Sequence, residues 1–191
     1  VASFKPCGLG LRALPQAVAH LTHLTLLWAN DNELTTLPPL PPSLVELYLQ
    51  RNALAELPAT VIGALPRLRS LWLHENQLEH LPESLGSLDG LRDLIAFRNR
   101  IRSLPAALCG LRGLRELRLD ENRLEALPPA IGELRSLEHL DVSNNRLSAL
   151  PSSIGKLQTL SSLRVWLNRL STFPAELCEL CELMELSASQ N

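Results

Sequence analysis

Several residue types are scarce in this chain of 191 residues. It has only 9 glycines, 4 cysteines, 2 lysines, 1 tyrosine and 1 methionine, and aromatic residues make up 4% of it. Its apolar runs are a few residues long, too short to span a bilayer as a helix. The 18 basic and 20 acidic residues nearly cancel, so the chain lacks the basic excess of nucleic-acid and anionic-membrane binders. We therefore expect a soluble protein that binds neither nucleic acid nor membrane.

The residues of common chemical sites are also sparse. The four cysteines are too few and too unevenly spaced for the disulfide framework of a small secreted domain, so we expect reduced thiols in a cytoplasmic setting. Cys178 and Cys181 form a CxxC pair with no second pair to complete a zinc site. The five histidines show no metal-ligand spacing, and no phosphate-binding glycine loop or nucleophile elbow occurs. We expect no metal, no cofactor and no catalytic residue.

Leucine is abundant, with 47 of the 191 residues, and it recurs in a fixed pattern. Around Asn122, leucines lie eight, five and three residues before the asparagine and two and five after it, which gives the template LxxLxLxxNxLxxLPxxIGxL. Repeated units of this size indicate a solenoid. Equivalent asparagines follow one another at intervals of 20, then 24, then 23 residues: Asn32, Asn52, Asn76, Asn99, Asn122, Asn145, Asn168 and Asn191.

The template can be interpreted physically. Its LxLxx segment alternates apolar and polar residues, which predicts a short strand with one buried face. Strands at a constant offset that run the same way should stack as a parallel sheet, and the asparagine amide can pair with backbone groups where each strand ends. The PxxIGxL segment suits a single helical or 3₁₀ turn. Residues 34–52 carry Pro38, Pro39, Pro41 and Pro42 and predict an extended crossing instead.

From about Leu11 to Asn191 the chain resembles the leucine-rich repeat family. The resemblance implies an α/β solenoid: a horseshoe with a parallel β-sheet on the concave face and short helical, 3₁₀ or extended segments on the convex face. We expect residues 1–191 to form a single array, with a degenerate opening repeat at about 1–23 and complete repeats ending near Asn191. The last strand, around Leu183 and Leu186, has no polar cap, so we expect the natural protein to continue beyond it.

Two forms of the repeat indicate the origin of the protein. The 23-residue form, as in ALPPAIGEL and ALPSSIGKL, resembles the intracellular repeats of plant Ras-group and Scribble-type proteins and of bacterial homologues. The 20-residue repeat with LPPLPPSLVELYLQRN is similar to repeats of bacterial type III effectors, where the array is often joined to a ubiquitin ligase or another enzymatic domain. The resemblance implies a bacterial protein with a cytoplasmic location, including delivery into a host cytoplasm as part of a secreted effector.

Strand alternation predicts a candidate binding surface. Side chains six, four and two residues before each asparagine should face the concave side, and those five and three before it should face the core. Five of the seven aromatic residues then face outward, while Phe4 and Phe173 take core positions. Ile95 should join Trp28, Tyr48, Trp72 and Phe97 in an apolar ridge of roughly 15 to 20 Å. The predicted protein-binding residues are Trp28, Tyr48, Trp72, His74, Ile95, Phe97, Arg118, Asp120, Arg164 and Trp166.

Several functions are compatible with this surface. The first is a non-catalytic module that binds a protein partner on its concave aromatic face, because exposed tryptophan, tyrosine and arginine often anchor interfaces. The array could also be the substrate-recognition part of an effector whose enzymatic domain lies outside this chain. A third possibility is a structural scaffold that self-associates through uncapped ends. The aromatic residues could instead only stabilise the sheet by packing on one another.

Overall fold

Nine short parallel strands form one sheet in the computed structural model, which describes residues 2–191. The strands pair in sequence order, each with the equivalent strand of the next repeat, as the predicted solenoid requires. Their bounds are β1 Ala2–Phe4, β2 Leu24–Trp28, β3 Glu46–Tyr48, β4 Ser70–Trp72, β5 Asp93–Ile95, β6 Glu116–Arg118, β7 His139–Asp141, β8 Ser162–Arg164 and β9 Glu185–Ser187.

Leucine side chains from neighbouring repeats form the core. Leu71 on β4 faces Leu94 on β5, which in turn faces Leu117 on β6, and none of the three is exposed. Each such side chain contributes about 1.5 to 3 kcal/mol when it leaves water. Because the facing leucines belong to different repeats, this core forms only when repeats stack.

The repeated asparagines form the predicted hydrogen-bonded ladder. The Asn122 side-chain amide donates to the carbonyl oxygens of Leu119, at 3.0 Å, and of Ala96 in the preceding repeat, at 2.9 Å. Its Oδ1 accepts the backbone N–H of Ile101 at 2.9 Å. Equivalent bonds recur at Asn76, Asn99 and Asn145. Each asparagine thus satisfies backbone groups that the turn would otherwise leave buried and unpaired.

The residue directly before each asparagine adopts a left-handed conformation. Its φ lies between 49° and 57° in all eight repeats, although none of these residues is glycine. Gly8, at the same position of the degenerate first repeat, takes this conformation at φ 68° without a side-chain penalty. The other positions each cost about 1 to 2 kcal/mol, and the asparagine bonds beside them hold the turn in place. The spacing of residues in the repeat does not predict this strain.

The convex side is thin, as predicted. It carries one short α-helix, α1 (Ala59–Ile62), and residues 33–45 form no helix, in line with their four prolines. No helix within residues 2–191 is long and apolar enough to cross a lipid bilayer. In six of the seven helical segments the residue just before the segment is a proline. The 3₁₀ segments are Gln16–His20, Glu83–Ser87, Ala106–Gly110, Ile131–Glu133, Ser152–Lys156 and Ala175–Glu179.

The glycine of the IG step permits the 3₁₀ segments to pack closely. A Cβ atom added at Gly132 would clash with the carbonyl oxygen of Ser153 in the next repeat, and one at Gly155 would clash with that of Glu176. The template therefore carries glycine here because neighbouring convex segments approach too closely for a side chain.

One predicted core position is wrong. Phe173 is 43% exposed, whereas Leu127 and Leu150 at the same position of earlier repeats are 5% exposed. Leu150 is still followed by the repeat that contains Phe173, but only residues 174–191 follow Phe173. The last strand is likewise open, since Leu186 is 45% exposed and Met184 is 87% exposed. Continuation of the natural protein stays a prediction.

Candidate functional site

The concave face carries the predicted columns of side chains. The residues four before each asparagine lie opposite one another across β2 to β8. In strand order this column runs Trp28, Tyr48, Trp72, Ile95, Arg118, Asp141 and Arg164. The strand pairing therefore brings two of the three predicted tryptophans, the tyrosine and the two arginines onto one surface, which extends over seven repeats.

An unbroken chain of ring contacts occupies half of this face. Trp28 and Tyr48 have centroids 5.5 Å apart, Tyr48 and Trp72 are 5.3 Å apart, Trp72 and His74 are 5.7 Å apart, and His74 and Phe97 are 4.2 Å apart. We call these five residues the aromatic ridge. Such ring pairs add about 0.5 to 1.5 kcal/mol each beyond the area they bury, so the ridge is already ordered without a ligand.

Cationic side chains flank both ends of the aromatic ridge. The Lys5 Nζ lies 4.0 Å from the centre of the Trp28 ring, and the Arg118 guanidinium lies 4.7 Å from the centre of the Phe97 ring. Both positions are favourable cation–π arrangements. Lys5 was not among the predicted binding residues.

His74, rather than Ile95, connects Trp72 to Phe97. His74 is 8% exposed, and burial, the largest influence, lowers the pKa of its imidazole. The ring is thus held neutral between two aromatic neighbours. Ile95 is only 3% exposed, so its predicted place on an exposed ridge is wrong. It lies between Trp72 and Arg118 in the sheet, and these longer side chains extend further from the backbone.

Polar side chains that lie six residues before the asparagine fix the orientations of two rings. The Tyr48 hydroxyl donates to Glu46 Oε2 at 2.7 Å, and the Trp72 indole N–H donates to Ser70 Oγ at 3.0 Å. Burial, followed by the bond to Glu46, raises the pKa of Tyr48 to about 12. The phenol therefore stays protonated, and two rings of the ridge are anchored at their polar ends.

The other half of the concave face is polar. A depression of about 330 Å³ lies over β6 to β9, and we call it the polar trough. Arg164 donates to Glu185 through two nitrogens, at 2.9 and 3.0 Å. The Arg118 Nε lies 3.5 Å from Asp120 Oδ1, but without hydrogen-bond geometry. The residues that line the trough are Glu116, Arg118, His139, Leu140, Asp141, Ser162, Arg164 and Glu185.

Two predicted binding residues lie at the margin of this half. Asp120 is on the predicted column but only 9% exposed, and burial, followed by the charge of Asp141, raises the pKa of its carboxyl. Trp166 is half-buried on the repeat that follows Ser143, and the exposed Leu167 is next to it. Two repeats lie between Phe97 and Trp166, so Trp166 is not part of the aromatic ridge.

Sequence reasoning missed a row of ion pairs beside the ridge. The left-handed residues before successive asparagines alternate in charge, from Asp31 through Arg51, Glu75 and Arg98 to Glu121. Neighbouring members lie 3.4, 3.4, 3.5 and 3.0 Å apart. The alternation of charge sign at the position before the asparagine is visible in the sequence and could have predicted these ion pairs. Exposed pairs of this kind contribute little to stability, but they give the ridge a charged border.

Unpaired polar atoms were also missed, and they concentrate on the concave face. Among residues 2–191, eight buried side-chain nitrogen or oxygen atoms have no hydrogen-bond partner, and six of them belong to the four-before and two-before columns. Native proteins leave few such groups unpaired, so each calls for an explanation. The six are Trp28 Nε1, Gln50 Oε1, His74 Nδ1, Arg118 Nε, Asp120 Oδ1 and Ser143 Oγ.

The CxxC cysteines lie outside the concave face. Within residues 2–191 no group of three or more histidine, cysteine, aspartate or glutamate side chains could hold a metal ion. All four cysteines are free thiols, and Cys178 and Cys181 are exposed on the convex side. The concave face instead offers rings, charges and hydrogen-bonding atoms, which suit non-covalent recognition.

Comparison with known proteins agrees with this architecture. A family profile described as Leucine-rich repeat region matches residues 44–146, and one described as Leucine Rich Repeat matches residues 136–157. Mouse (Mus musculus) podocan is 44% identical over 69 residues, which are 35% of this chain and 11% of podocan.

Two solved structures are similar over almost the whole chain. A leucine-rich repeat protein from Leptospira interrogans is 34% identical with a TM-score of 0.88, over 94% of this chain and 46% of that one. The ectodomain of the plant membrane receptor kinase GASSHO1/SCHENGEN3 from Arabidopsis thaliana, in complex with CASPARIAN STRIP INTEGRITY FACTOR 2, is 31% identical with a TM-score of 0.80, over 94% and 23%. The chain spans less than half the length of each of these relatives. Its repeats, its ladder and these matches show that the chain belongs to the leucine-rich repeat family.

Proposed function

We propose that the concave face binds a protein or peptide ligand without catalysing a reaction on it. The observation that carries the proposal is the continuous aromatic ridge of Trp28, Tyr48, Trp72, His74 and Phe97 on an open sheet face. Tryptophan, tyrosine and arginine are the residues that most often dominate interface energies. Ordered rings also lose little conformational freedom when a ligand binds, which favours affinity.

The relatives support recognition as the general role. The GASSHO1 ectodomain was solved in complex with CASPARIAN STRIP INTEGRITY FACTOR 2, so an array of this fold serves there as the binding part of a receptor. We propose the same role for this chain and assign it to the concave face.

Selection from a displayed random peptide library tests the proposal. Peptides selected on the wild-type protein should bind Trp72→Ala and Phe97→Arg at least tenfold more weakly, because both changes remove ridge rings. Phe173→Ala is the matched control, since it removes an aromatic side chain that is more exposed than either ring and lies outside the concave face. Equal affinity for the wild type and Trp72→Ala would contradict the proposal.

A second candidate, self-association, rests on the open last strand. Met184, Leu186 and Phe173 expose apolar surface together near the final repeat, and a second copy could cover it. Sedimentation at increasing protein concentration tests this: a mass that stays monomeric throughout would contradict it. If the mass rises, Leu186→Ser should lower the association, and Trp72→Ala should not.

We also propose a bacterial protein that acts in a cytoplasm, with any enzymatic domain outside this chain. The LPxxIGxL repeats, the four free thiols and the Leptospira interrogans relative support this assignment. Fractionation of the cells that produce the natural protein, with a translocation reporter fused to it, tests the location. Recovery only outside both the producing and the host cytoplasm would contradict it.

A further inference from the structure

We propose that a groove at one edge of the sheet binds a phosphorylated side chain of a partner polypeptide. The groove lies where strands β3 to β5 begin, outside the concave columns, and we call it the edge groove. This inference goes beyond the proposed function, because it concerns a second surface with its own ligand chemistry. The edge groove is lined by Pro42, Val45, Pro66, Arg67, Arg69 and Gly90.

Two adjoining depressions form the edge groove. The larger has a volume of about 500 Å³, and Arg67 and Arg69 are part of its lining. The smaller, of about 260 Å³, shares Pro66 and Arg67 with the larger one and continues to Pro42. The proline rings give the groove apolar surface, and the two guanidinium groups give it positive charge. Ligand sites commonly combine an apolar lining with a few polar groups that fix the orientation of the ligand.

Three arginines at the edge groove have no acidic partner. Arg67 and Arg69 line the groove, and Arg92 lies in the next repeat, where its backbone N–H donates to the carbonyl oxygen of Arg69 at 2.8 Å. All three are exposed, and the ion pairs among residues 2–191 include none of them. Like charges on adjacent chain segments repel one another, so an anion bound between them would stabilise this arrangement.

The extent of the positive charge fits a single phosphate group. In the column seven residues before each asparagine, arginine occupies three consecutive repeats, at Arg69, Arg92 and Arg115. Val45 precedes them in this column, and Glu138 follows and pairs with Arg115 at 3.3 Å. The arginines thus span two strand intervals, or about 10 Å. This is too short a track for the many phosphates of a nucleic acid.

The charge of a phosphate monoester matches that of the edge groove. Asp89, directly before Gly90, offsets one of the three positive charges of Arg67, Arg69 and Arg92. A phosphorylated side chain carries about −1.5 to −2 charge at neutral pH and offers three acceptor oxygens. Guanidinium groups donate to such oxygens in a paired, planar arrangement. A carboxylate has one charge and two oxygens, so it would satisfy fewer of these donors.

Gly90 leaves the edge groove open. A Cβ atom added at Gly90 would lie 3.4 Å from the carbonyl oxygen of Leu68 and 4.0 Å from that of Pro66, which are ordinary van der Waals distances. A side chain at this position therefore fits the fold, and it would occupy space that belongs to the groove. Gly90→Val thus closes the edge groove and leaves the charge of the protein unchanged.

Three matched peptides test the edge groove. The probe is the acetylated and amidated peptide Ala-Val-phosphoserine-Val-Ala, and the two controls carry serine or glutamate in place of phosphoserine. We expect the phosphopeptide to bind the wild-type protein at least tenfold more tightly than either control, measured by NMR titration at about 0.15 M salt, where weak surface attraction is screened. Inorganic phosphate and a single-stranded oligonucleotide should also bind at least tenfold more weakly.

Protein variants locate the binding. Arg67→Gln and Arg69→Gln should each lower the affinity for the phosphopeptide at least fivefold, and Gly90→Val should lower it as much. Arg169→Gln is the matched control, because it removes an exposed arginine that lies beyond the other end of the strands. Trp72→Ala should bind the phosphopeptide as the wild type does, since the aromatic ridge is a different surface.

Thermal melting separates binding from a structural role. The arginines are exposed and unpaired, so Arg67→Gln and Arg69→Gln should melt at the temperature of the wild type, and they decide the test even where Gly90→Val is destabilised. Equal affinity for the phosphoserine and serine peptides, or an equal loss in Arg169→Gln, would overturn the proposal. So would equally tight binding of the glutamate peptide, inorganic phosphate or the oligonucleotide. Library peptides that depend on Trp72 would then still uphold the proposed function.

Discussion

The imidazole of His74 stacks on the phenyl ring of Phe97, with centroids 4.2 Å apart and ring planes 12° apart. The two residues occupy the same position of adjacent repeats, two before the asparagine. Through this contact the row of rings on β2 to β4 extends to the next repeat, which contains β5. The stack requires a nearly buried imidazole, which makes the ridge sensitive to pH.

We expect stability to fall as His74 becomes protonated. Burial lowers its pKa in the folded protein below the ordinary 6.5, so the unfolded chain takes up this proton first as pH falls. The free energy of unfolding should therefore decrease as pH drops below about 6.5. Denaturant titrations at a series of pH values should show this component in the wild type and not in His74→Phe. The same pH dependence in both proteins would contradict the assignment.

Core and ridge substitutions should differ in their effect on stability. Leu117 is fully buried between strands, so Leu117→Ala should lower the free energy of unfolding by about 2 to 5 kcal/mol, and Leu117→Arg should abolish folding because it buries an unpaired charge. Trp72→Ala removes two ring contacts and should lower it by only about 1 to 3 kcal/mol. Urea unfolding measures both. If Trp72→Ala destabilises as much as Leu117→Arg, the assignment of Trp72 to the face is wrong.

The asparagine ladder predicts a position-dependent effect. Asn122→Ala leaves the Ile101 N–H and the carbonyls of Ala96 and Leu119 without this partner. Since unpaired buried groups cost about 1 to 3 kcal/mol each, we expect a loss of about 3 kcal/mol or more. Asn191→Ala is the control, because Asn191 makes similar bonds but is exposed. Equal losses of stability at the two positions would show that burial of the asparagine does not determine the cost.

The convex glycines predict opposite outcomes for one substitution. Gly132→Ala should destabilise by about 1 to 3 kcal/mol, because the added methyl group meets Ser153 of the next repeat. Gly110 has open space around it, so Gly110→Ala should be neutral or stabilise by up to about 1 kcal/mol. Thermal melting of the two variants compares them. A destabilised Gly110→Ala together with an unaffected Gly132→Ala would show that the convex packing is wrongly described.

The sequence was sufficient for the architecture because each repeat imposes the same constraints. The period of the asparagines predicts the parallel register, and strand alternation predicts that Trp28, Tyr48 and Trp72 share a face. Both inferences need only the spacing of residues along the chain. The family resemblance added the horseshoe arrangement, which the structural relatives support.

Exposure on the face could not be predicted in the same way. Whether Ile95 or Asp120 reaches the surface depends on the length and direction of side chains in neighbouring repeats, and periodicity carries no such information. The Trp72–His74 contact joins residues four and two before the asparagine, which spacing alone assigns to separate columns. Phe173 was misassigned because the template treats every repeat as covered on both sides.

Photo-crosslinking of a selected peptide tests the central claim most directly. A selected peptide with a photoreactive residue at each position in turn should crosslink to residues of the concave columns on β3 to β7, and fragment mass spectrometry identifies these residues. We predict labelling around Tyr48, Trp72 and Phe97, with loss of labelling in Trp72→Ala. Labelling confined to the convex 3₁₀ segments or to the last strand would contradict recognition by the concave face.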